Sequence, residues 1–400
     1  MRLPGRRWLL AAFYIASLAG VAALSAYLSR NLSGSGPIPE RTSFARRLQG
    51  TADGDARRYT LFYATTRSTD EDNHAFDGDG RRMSDHVTST GTFEVRISPR
   101  LPVAPRVWFD TDLMQLVGRT ELSQDEMLAR LRAAIAASPE KSLLVIVWGF
   151  RDWFESAALK TAYTAYVLDI NTPVLLFDWP GNQGEGPNGY LASLPVSQQA
   201  APILGQVLAR IERESGVERL WLMGSSLGCQ TISDAFGWMM TQPDLATGGP
   251  KIEHVVLSAP DVSANQFNDR FAAEITALAR ELTVYVASND QALLTSKWVN
   301  RARRLGRVPV AQPEATEPDD PQLQGAINLL ELQAKGAHNI DVVDATPINR
   351  TRNLHHFFTD SPEFFDDLYR HLLQPDNPIG RRLYPVRTDQ GSTFWLLWDY

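Results

Sequence analysis

Apolar positions along this chain fall into four kinds of run. Residues 143–147, 174–177 and 255–257 are continuous apolar stretches of strand length. Strands with apolar side chains on both sides belong inside a parallel sheet that is covered on both faces. Residues 59–66 (YTLFYATT) and 92–98 (TFEVRIS) mix β-branched and aromatic residues in alternation and also read as strands. Helical spacing follows Ser123 and Glu126, an S-x-x-E capping box, in Leu128, Leu131 and Ile135. A last helix starts at Ser361-Pro362, an N-cap followed by a first-turn proline, with Phe364, Phe365, Leu368 and Leu372 as its stripe. The fourth run is long: residues 8–28 carry no charge and follow Arg2, Arg6 and Arg7.

Between the two helical ends the elements alternate. Strands are predicted at 142–148, 174–179, 218–223, 253–258, 282–287 and 340–344. Helices are predicted near 155–168, 198–214, 227–240, 267–280 and 291–304. Alternation of this kind predicts an α/β fold with a mostly parallel, doubly wound sheet. No internal repeat of 20–50 residues competes with that reading. The N-terminal run would span ~31 Å as a helix, the thickness of a bilayer core. It is longer than the apolar stretch of a secretory signal, so a single uncleaved transmembrane helix is the expectation. A cleaved signal ending near Ala23-Leu24-Ser25 is the alternative. The leading arginines favour an extracytoplasmic, periplasmic body, while Arg30, Arg41, Arg46 and Arg47 pull the other way. The domains expected are an anchor or signal over 1–30, a tether over 31–58, an α/β domain over 59–373 and a tail over 374–400. That tail, which includes Phe394-Trp395-Leu396-Leu397-Trp398, is expected to be a packed tail, with an amphipathic docking strip as the alternative.

Charge narrows the partners. With 39 basic and 46 acidic residues the chain has a net charge of -7, which gives nucleic acid no global attraction. The single cysteine, Cys229, excludes an intrachain disulfide and a cysteine-built zinc site. The run Asp77-Gly78-Asp79-Gly80 lacks the closing glutamate of a calcium loop and reads as a solvated loop.

The strongest local chemistry is Gly224-Ser225-Ser226-Leu227-Gly228, a G-x-S-x-G set between the strand ERLWLM and a helical run. A sharp strand-to-helix turn raises the central Ser226 hydroxyl above the sheet, and the helix N-terminus supplies N–H groups for an oxyanion. The bland alternative is a tightly packed turn of small residues, and Ser225 is the fallback nucleophile. Serine needs a base. With this turn the chain order is Ser, then acid, then His. Asp290 follows the second strand after the turn and is the first choice of acid; Asp261 follows the first strand and is the second. An N-cap for helix 291–304 is the structural role open to Asp290, and the two roles are compatible. His355 and His356 lie in a loop after the last strand. His371 reads as a surface residue on the polar side of a helix, His254 as structural, and His338 as lying at the wrong end of the sheet. Trp148-Gly149-Phe150 ends a strand where a second oxyanion amide belongs, from Phe150 or Arg151. Pro180 to Gly189 is a glycine-rich loop at the same edge, either ligand-facing or simply a surface turn. Cys229 is read as packing. There is no H-E-x-x-H, no phosphate loop and no G-x-G-x-x-G after the first strand, so no metal and no cofactor are expected.

These motifs, taken in order, resemble a bacterial branch of the α/β-hydrolases catalogued as a domain of unknown function. The resemblance rests on Phe62-Tyr63-Ala64-Thr65-Thr66-Arg67, on Trp148-Gly149-Phe150 and on Phe177-Asp178-Trp179-Pro180. It continues through the serine elbow, Ser288-Asn289-Asp290-Gln291-Ala292-Leu293, and His355-His356-Phe357-Phe358 with Pro362 in register. It covers roughly residues 59 to 373. Register with the family selects His355 over His356. Two departures stand out: Trp148 replaces the family's histidine, making the pocket wall bulky, and Asp178 adds a carboxylate near the pocket.

The resemblance implies an α/β-hydrolase fold and a serine hydrolase acting on a small-molecule or lipid-like carboxylic ester or thioester. The residues implied are Ser226, His355 and Asp290, with backbone amides of Leu227 and Phe150 at the oxyanion. The alternatives are a catalytically idle envelope scaffold or binding protein, or an acyltransferase using the same triad. Contact with the membrane is expected through the N-terminal helix; no protein partner is implied.

Overall fold

The computed structural model of the protein describes residues 51–69, 80–98, 101, 113–247, 249, 251–307, 339–351, 354–373, 381, 383–387 and 393–398. The apolar run 8–28, the Asp77–Asp79 stretch and His338 lie outside them. No helix of the described residues is long and apolar enough to cross a membrane.

In chain order the strands are β1 (Thr51–Asp53), β2 (Ala56–Thr65), β3 (Ser89–Ile97), β4 (Met114–Leu122), β5 (Ser142–Val147), β6 (Val174–Asp178), β7 (Arg219–Ser225), β8 (Ile252–Ser258), β9 (Ala279–Val286), β10 (Ile340–Asp344), β11 (Leu383–Arg387) and β12 (Thr393–Leu397). They form one sheet in the order β11-β12-β10-β9-β8-β7-β5-β6-β2-β3-β4, with β1 on β2. From β2 to β10 every pairing is parallel. The antiparallel strands are confined to the two flanks: β1, β3 and β4 on one side, β11 on the other. Residues 383–387 and 393–397, read from the sequence as part of a tail, therefore extend the sheet, β12 pairing in parallel with β10. β4 carries no sequence forecast, because its burial runs buried-exposed-intermediate without an apolar face.

The helices used below are α1 (Gln124–Ala137), α2 (Phe154–Leu168), α3 (Gly186–Glu214), α4 (Gly228–Met240), α5 (Ala272–Leu278), α6 (Gln291–Asn300) and α7 (Pro362–Leu373). The α1 capping box forms: Ser123 Oγ accepts the Glu126 amide and Glu126 accepts the Ser123 amide. Helix α3 begins twelve residues before its predicted start, with Pro187 in its first turn, a position that needs no N–H. The helix predicted over 267–280 is broken by a π turn at Phe267–Phe271 and ends at Leu278, where β9 takes over.

Alternation along the central strands divides the core. Leu143, Val145 and Val147 of β5 join one cluster with α1, α3, α4 and α5; Leu144 and Ile146 face the other, with α2 and α7. The same division runs through β7, where Leu220 and Leu222 oppose Trp221 and Met223. Each such buried aliphatic contributes about 1.5–3 kcal/mol by leaving water. Both faces are closed, so the strand ends are the places left for chemistry. The chain reverses direction around β5: β6 lies on one side of it and β7 on the other. At such a switch point, open α/β sheets bind ligands outside the C-terminal ends of the strands.

Candidate active site

Ser226 sits at that end of the sheet, between the end of β7 and the start of α4. Its φ is 50°, a left-handed conformation that costs a non-glycine residue of order 1–3 kcal/mol. Its neighbours hold it there. The Ser226 amide donates to Ser258 O at 3.0 Å, and Ser226 O accepts from Asp261 N at 3.0 Å and Cys229 N at 3.1 Å. Two glycines let the chains meet. A Cβ on Gly149 would come within 2.9 Å of Ser226 Cβ, and one on Gly228 would overlap Val147 O and lie 2.6 Å from Trp148 O.

That close approach brings the loop after β5 against the turn. Arg151 is engaged, its amide donating to Gly181 O at 2.9 Å, which leaves Phe150 of the two sequence candidates. The amides of Phe150 and of Leu227 meet no protein acceptor among the described residues. Leu227 is fully buried. Unpaired N–H groups in such surroundings are rare, and a ligand oxygen would satisfy them.

Asp290 caps α6 and faces the histidine loop at once. Its Oδ1 accepts the Leu293 amide at 2.8 Å, and its Oδ2 lies 2.6 Å from His355 Nδ1. Burial works to lower the His355 pKa; the charge and hydrogen bond of Asp290, with Asp261 adding, outweigh it and raise the pKa above its ordinary value. Phe358 packs edge-on to His355 at 5.6 Å and also touches Trp148 at 6.4 Å, so the histidine loop closes onto the β5 loop. Asp261 does not pair with His355; Ser296 donates to it at 2.6 Å and Arg304 lies 3.2 Å away. His356 meets His355 edge to face, with ring centres 5.3 Å apart. The structure thus brings Asp290 and His355 into contact, while no hydrogen bond joins Ser226 Oγ to His355. Short catalytic bonds of this kind often close only when substrate arrives.

Several readings from the sequence change here. Asp178 is not a loose pocket carboxylate. It is buried, with Arg67 Nε 2.7 Å from Oδ2 and Arg67 Nη2 3.0 Å from Oδ1. Arg67 also donates to Asp152 O, Trp179 O, Gly80 O and Asn182 Oδ1, stitching the loops after β2, β5 and β6 together. The motif holding Arg67 was legible; the five-way role was not, since its partners lie up to 115 residues away. Trp148 does not wall the pocket by bulk alone: its Nε1 donates to Thr161 and its carbonyl accepts from Trp179. Cys229 is fully buried and burial pushes its thiol well up, which leaves it unreactive. His371 is not on the surface: it is 2% exposed and lies against His254, far along the sheet from His355.

The sequence profile of a family described as alpha/beta hydrolase of unknown function matches residues 123–371. No curated protein matches the chain. Among solved structures, esterase B from Lactobacillus rhamnosis, in complex with a C4-C4 SN3 tributyrin phosphonate, is similar at 10% identity. That alignment covers 91% of this chain and 97% of the other, with a TM-score of 0.34. A rice cell wall degrading esterase, LipA from Xanthomonas oryzae, is 10% identical over 80% of this chain and 91% of its own, with a TM-score of 0.34. At those scores neither structure speaks to the site.

Proposed function

The chain belongs to this alpha/beta hydrolase family of unknown function, and from that premise we propose that it is a serine hydrolase of carboxylic esters or thioesters. The observation that carries the proposal is the pair of unpaired amides, Phe150 and Leu227, on either side of a strained Ser226. Any helix start leaves its first amides unpaired, so the Leu227 amide alone is not diagnostic; what sets the pair apart is that the loop carrying the Phe150 amide is pressed against Ser226 through Gly149.

In this reading Ser226 Oγ attacks the carbonyl carbon while His355 Nε2 takes its proton. The carbonyl oxygen becomes an oxyanion held by the Phe150 and Leu227 amides, aided by the N-terminus of α4. Asp290 keeps the His355 proton on Nδ1 and stabilises the imidazolium. The C–O or C–S bond then breaks, the leaving group takes the proton from Nε2, and an acyl-Ser226 remains. Water, activated by the same histidine, releases the acid and restores the serine.

Small-molecule or lipid-like esters are the proposed substrates, with residues 8–28 as a membrane anchor that places the domain outside the cytoplasm. Chromogenic esters of graded acyl length test the chemistry. Turnover that is lost in Ser226→Ala supports the reading; no turnover of any chain length, or turnover unchanged in that variant, contradicts it. Carbonate-resistant membrane association that disappears on deletion of residues 1–30 tests the anchor.

A further inference from the structure

At the other end of the sheet from Ser226, three elements bring donor atoms to one point. His254 lies near the start of β8, Glu281 and Thr283 on β9, and His371 in the last turn of α7. His254 Nε2 and His371 Nε2 are 2.7 Å apart. Thr283 Oγ1 lies 2.9 Å from the first and 2.7 Å from the second. Glu281 Oε2 is 3.5 Å from His254 Nδ1 and 4.0 Å from His371 Nε2. One ligand atom from each of His254, Glu281 and His371 falls within 4.8 Å of the others.

Hydrogen bonding alone does not satisfy this triangle. An imidazole nitrogen carries either a proton or a lone pair, never both. Two such nitrogens and one hydroxyl can therefore bridge at most two of the three sides with protons. The remaining contact stays short and unbridged, inside a site where an unmet polar contact is costly. A shared electrophile relieves all three sides at once. We propose that His254, His371 and Glu281 bind a divalent transition metal, zinc by donor type, with Thr283 or water completing the set.

The chemistry of the donors fits. Two imidazoles and a carboxylate are a donor set that zinc accepts. Tetrahedral zinc ligands at ~2.05 Å sit about 3.3 Å from one another, and the 2.7–4.0 Å separations here bracket that value, so modest expansion of the triangle suffices. Metal binding needs neutral imidazoles and surroundings that do not repel the ion, and Arg381 and Arg219 stand near His254. Those arginines do not leave a bare positive field. Arg219 pairs with Glu140 at 2.9 Å and Glu253 at 2.8 Å, and Arg381 with Asp367 at 2.9 Å and Asp341 at 3.4 Å. Glu281, 42% exposed, leaves a way in for the ion. The metal would staple α7 to β8 and β9 and take no part at Ser226. The spacing of 27 and 117 residues from His254 is why no sequence pattern reveals it.

The test uses the full chain, purified without a histidine tag, stripped with chelator and desalted. Addition of zinc chloride should raise the melting temperature, and elemental analysis after desalting should find about one zinc per chain. Glu281→Gln, at a half-exposed position, should keep the metal-free melting temperature while weakening zinc binding by at least roughly tenfold. Cobalt should give visible bands in the wild type that are lost in His371→Ala. The proposal is overturned if stripped wild-type protein retains no zinc and its melting temperature does not respond, or if Glu281→Gln binds zinc like the wild type. Ser226→Ala must leave zinc binding unchanged, so this test stands apart from the hydrolase reading.

Discussion

The two ends of the sheet each hold buried histidine, and they treat it in opposite ways. His355 and His254 are both more than nine-tenths buried. At the C-terminal end, Asp290 reaches His355 at 2.6 Å and its charge raises the imidazole pKa despite burial. At the other end Glu281 comes only within 3.5 Å of His254 Nδ1, and burial pushes the His254 pKa down to about 3. Burial alone therefore does not decide what a histidine does. The charged neighbours decide: an aligned carboxylate raises one buried imidazole above its ordinary value, while burial with Arg381 and Arg219 pushes the other down.

The comparison breaks first at the serine. Ser226→Ala should lower kcat by roughly a million-fold, with the melting temperature little changed, since alanine keeps the Cβ and with it the left-handed strain. His371→Ala should do the reverse, costing about 1–3 kcal/mol of stability by urea unfolding with kcat kept. Loss of activity in His371→Ala at full folding would erase the distinction between the two ends.

Next in size is Asp290→Asn. It should cost on the order of ten-thousand-fold in kcat by mispositioning the His355 tautomer. Removal of the charge also leaves burial as the main influence on His355, so the acid limb of the rate profile should move to lower pH. A limb that stays in place would mean that Asp290 does not set the histidine.

Arg67→Met should cost about 3–5 kcal/mol, because it leaves the buried Asp178 without its guanidinium counter-ion. The double variant Arg67→Met/Asp178→Leu should recover much of that loss. Recovery of stability without recovery of kcat would show that Arg67 also orders the Phe150 loop through Asp152 O.

The smallest effect is on pH. In the wild type, activity should rise with pH through a value above 6.5, since only neutral His355 accepts the serine proton. Stability behaves differently. His254 is held down to about 3 in the fold against 6.5 in the unfolded chain, so below pH 6.5 the unfolded state takes up the proton first. His254 therefore destabilises the fold progressively as pH falls from 6.5 toward 3. His355, with its raised pKa, works in the opposite sense: its stabilising contribution is full below 6.5 and is lost as pH rises through its folded value. Urea midpoints across pH 4–8 in wild type and in His254→Gln separate the two.

How much of this was legible follows from where the determining contacts lie. The central strands declare themselves because Leu143–Val147 and Val255–Leu257 are buried on both faces, which writes an uninterrupted apolar run. The serine turn is legible because its demands are local: a strand, two glycines and a helix start. β4, β11 and β12 are not, because a flank strand such as MQLVGRTEL takes its place from its neighbour in space and buries little of its own surface. His371 misleads for a related reason. Its position on the helix looks polar, but β8 and β9 from far along the chain cover it. The acid is a mixed case: Asp290 reads as an N-cap or a catalytic partner from sequence, and in the fold its two oxygens serve both geometries.

The central claim is that Ser226 is an activated nucleophile facing two waiting amides. Labelling with a fluorophosphonate probe, followed by peptide mapping, tests it most directly. The account predicts covalent modification of Ser226 in the wild type, abolished in Ser226→Ala and strongly slowed in His355→Ala. An unlabelled wild-type protein, or label that persists in Ser226→Ala, would contradict it.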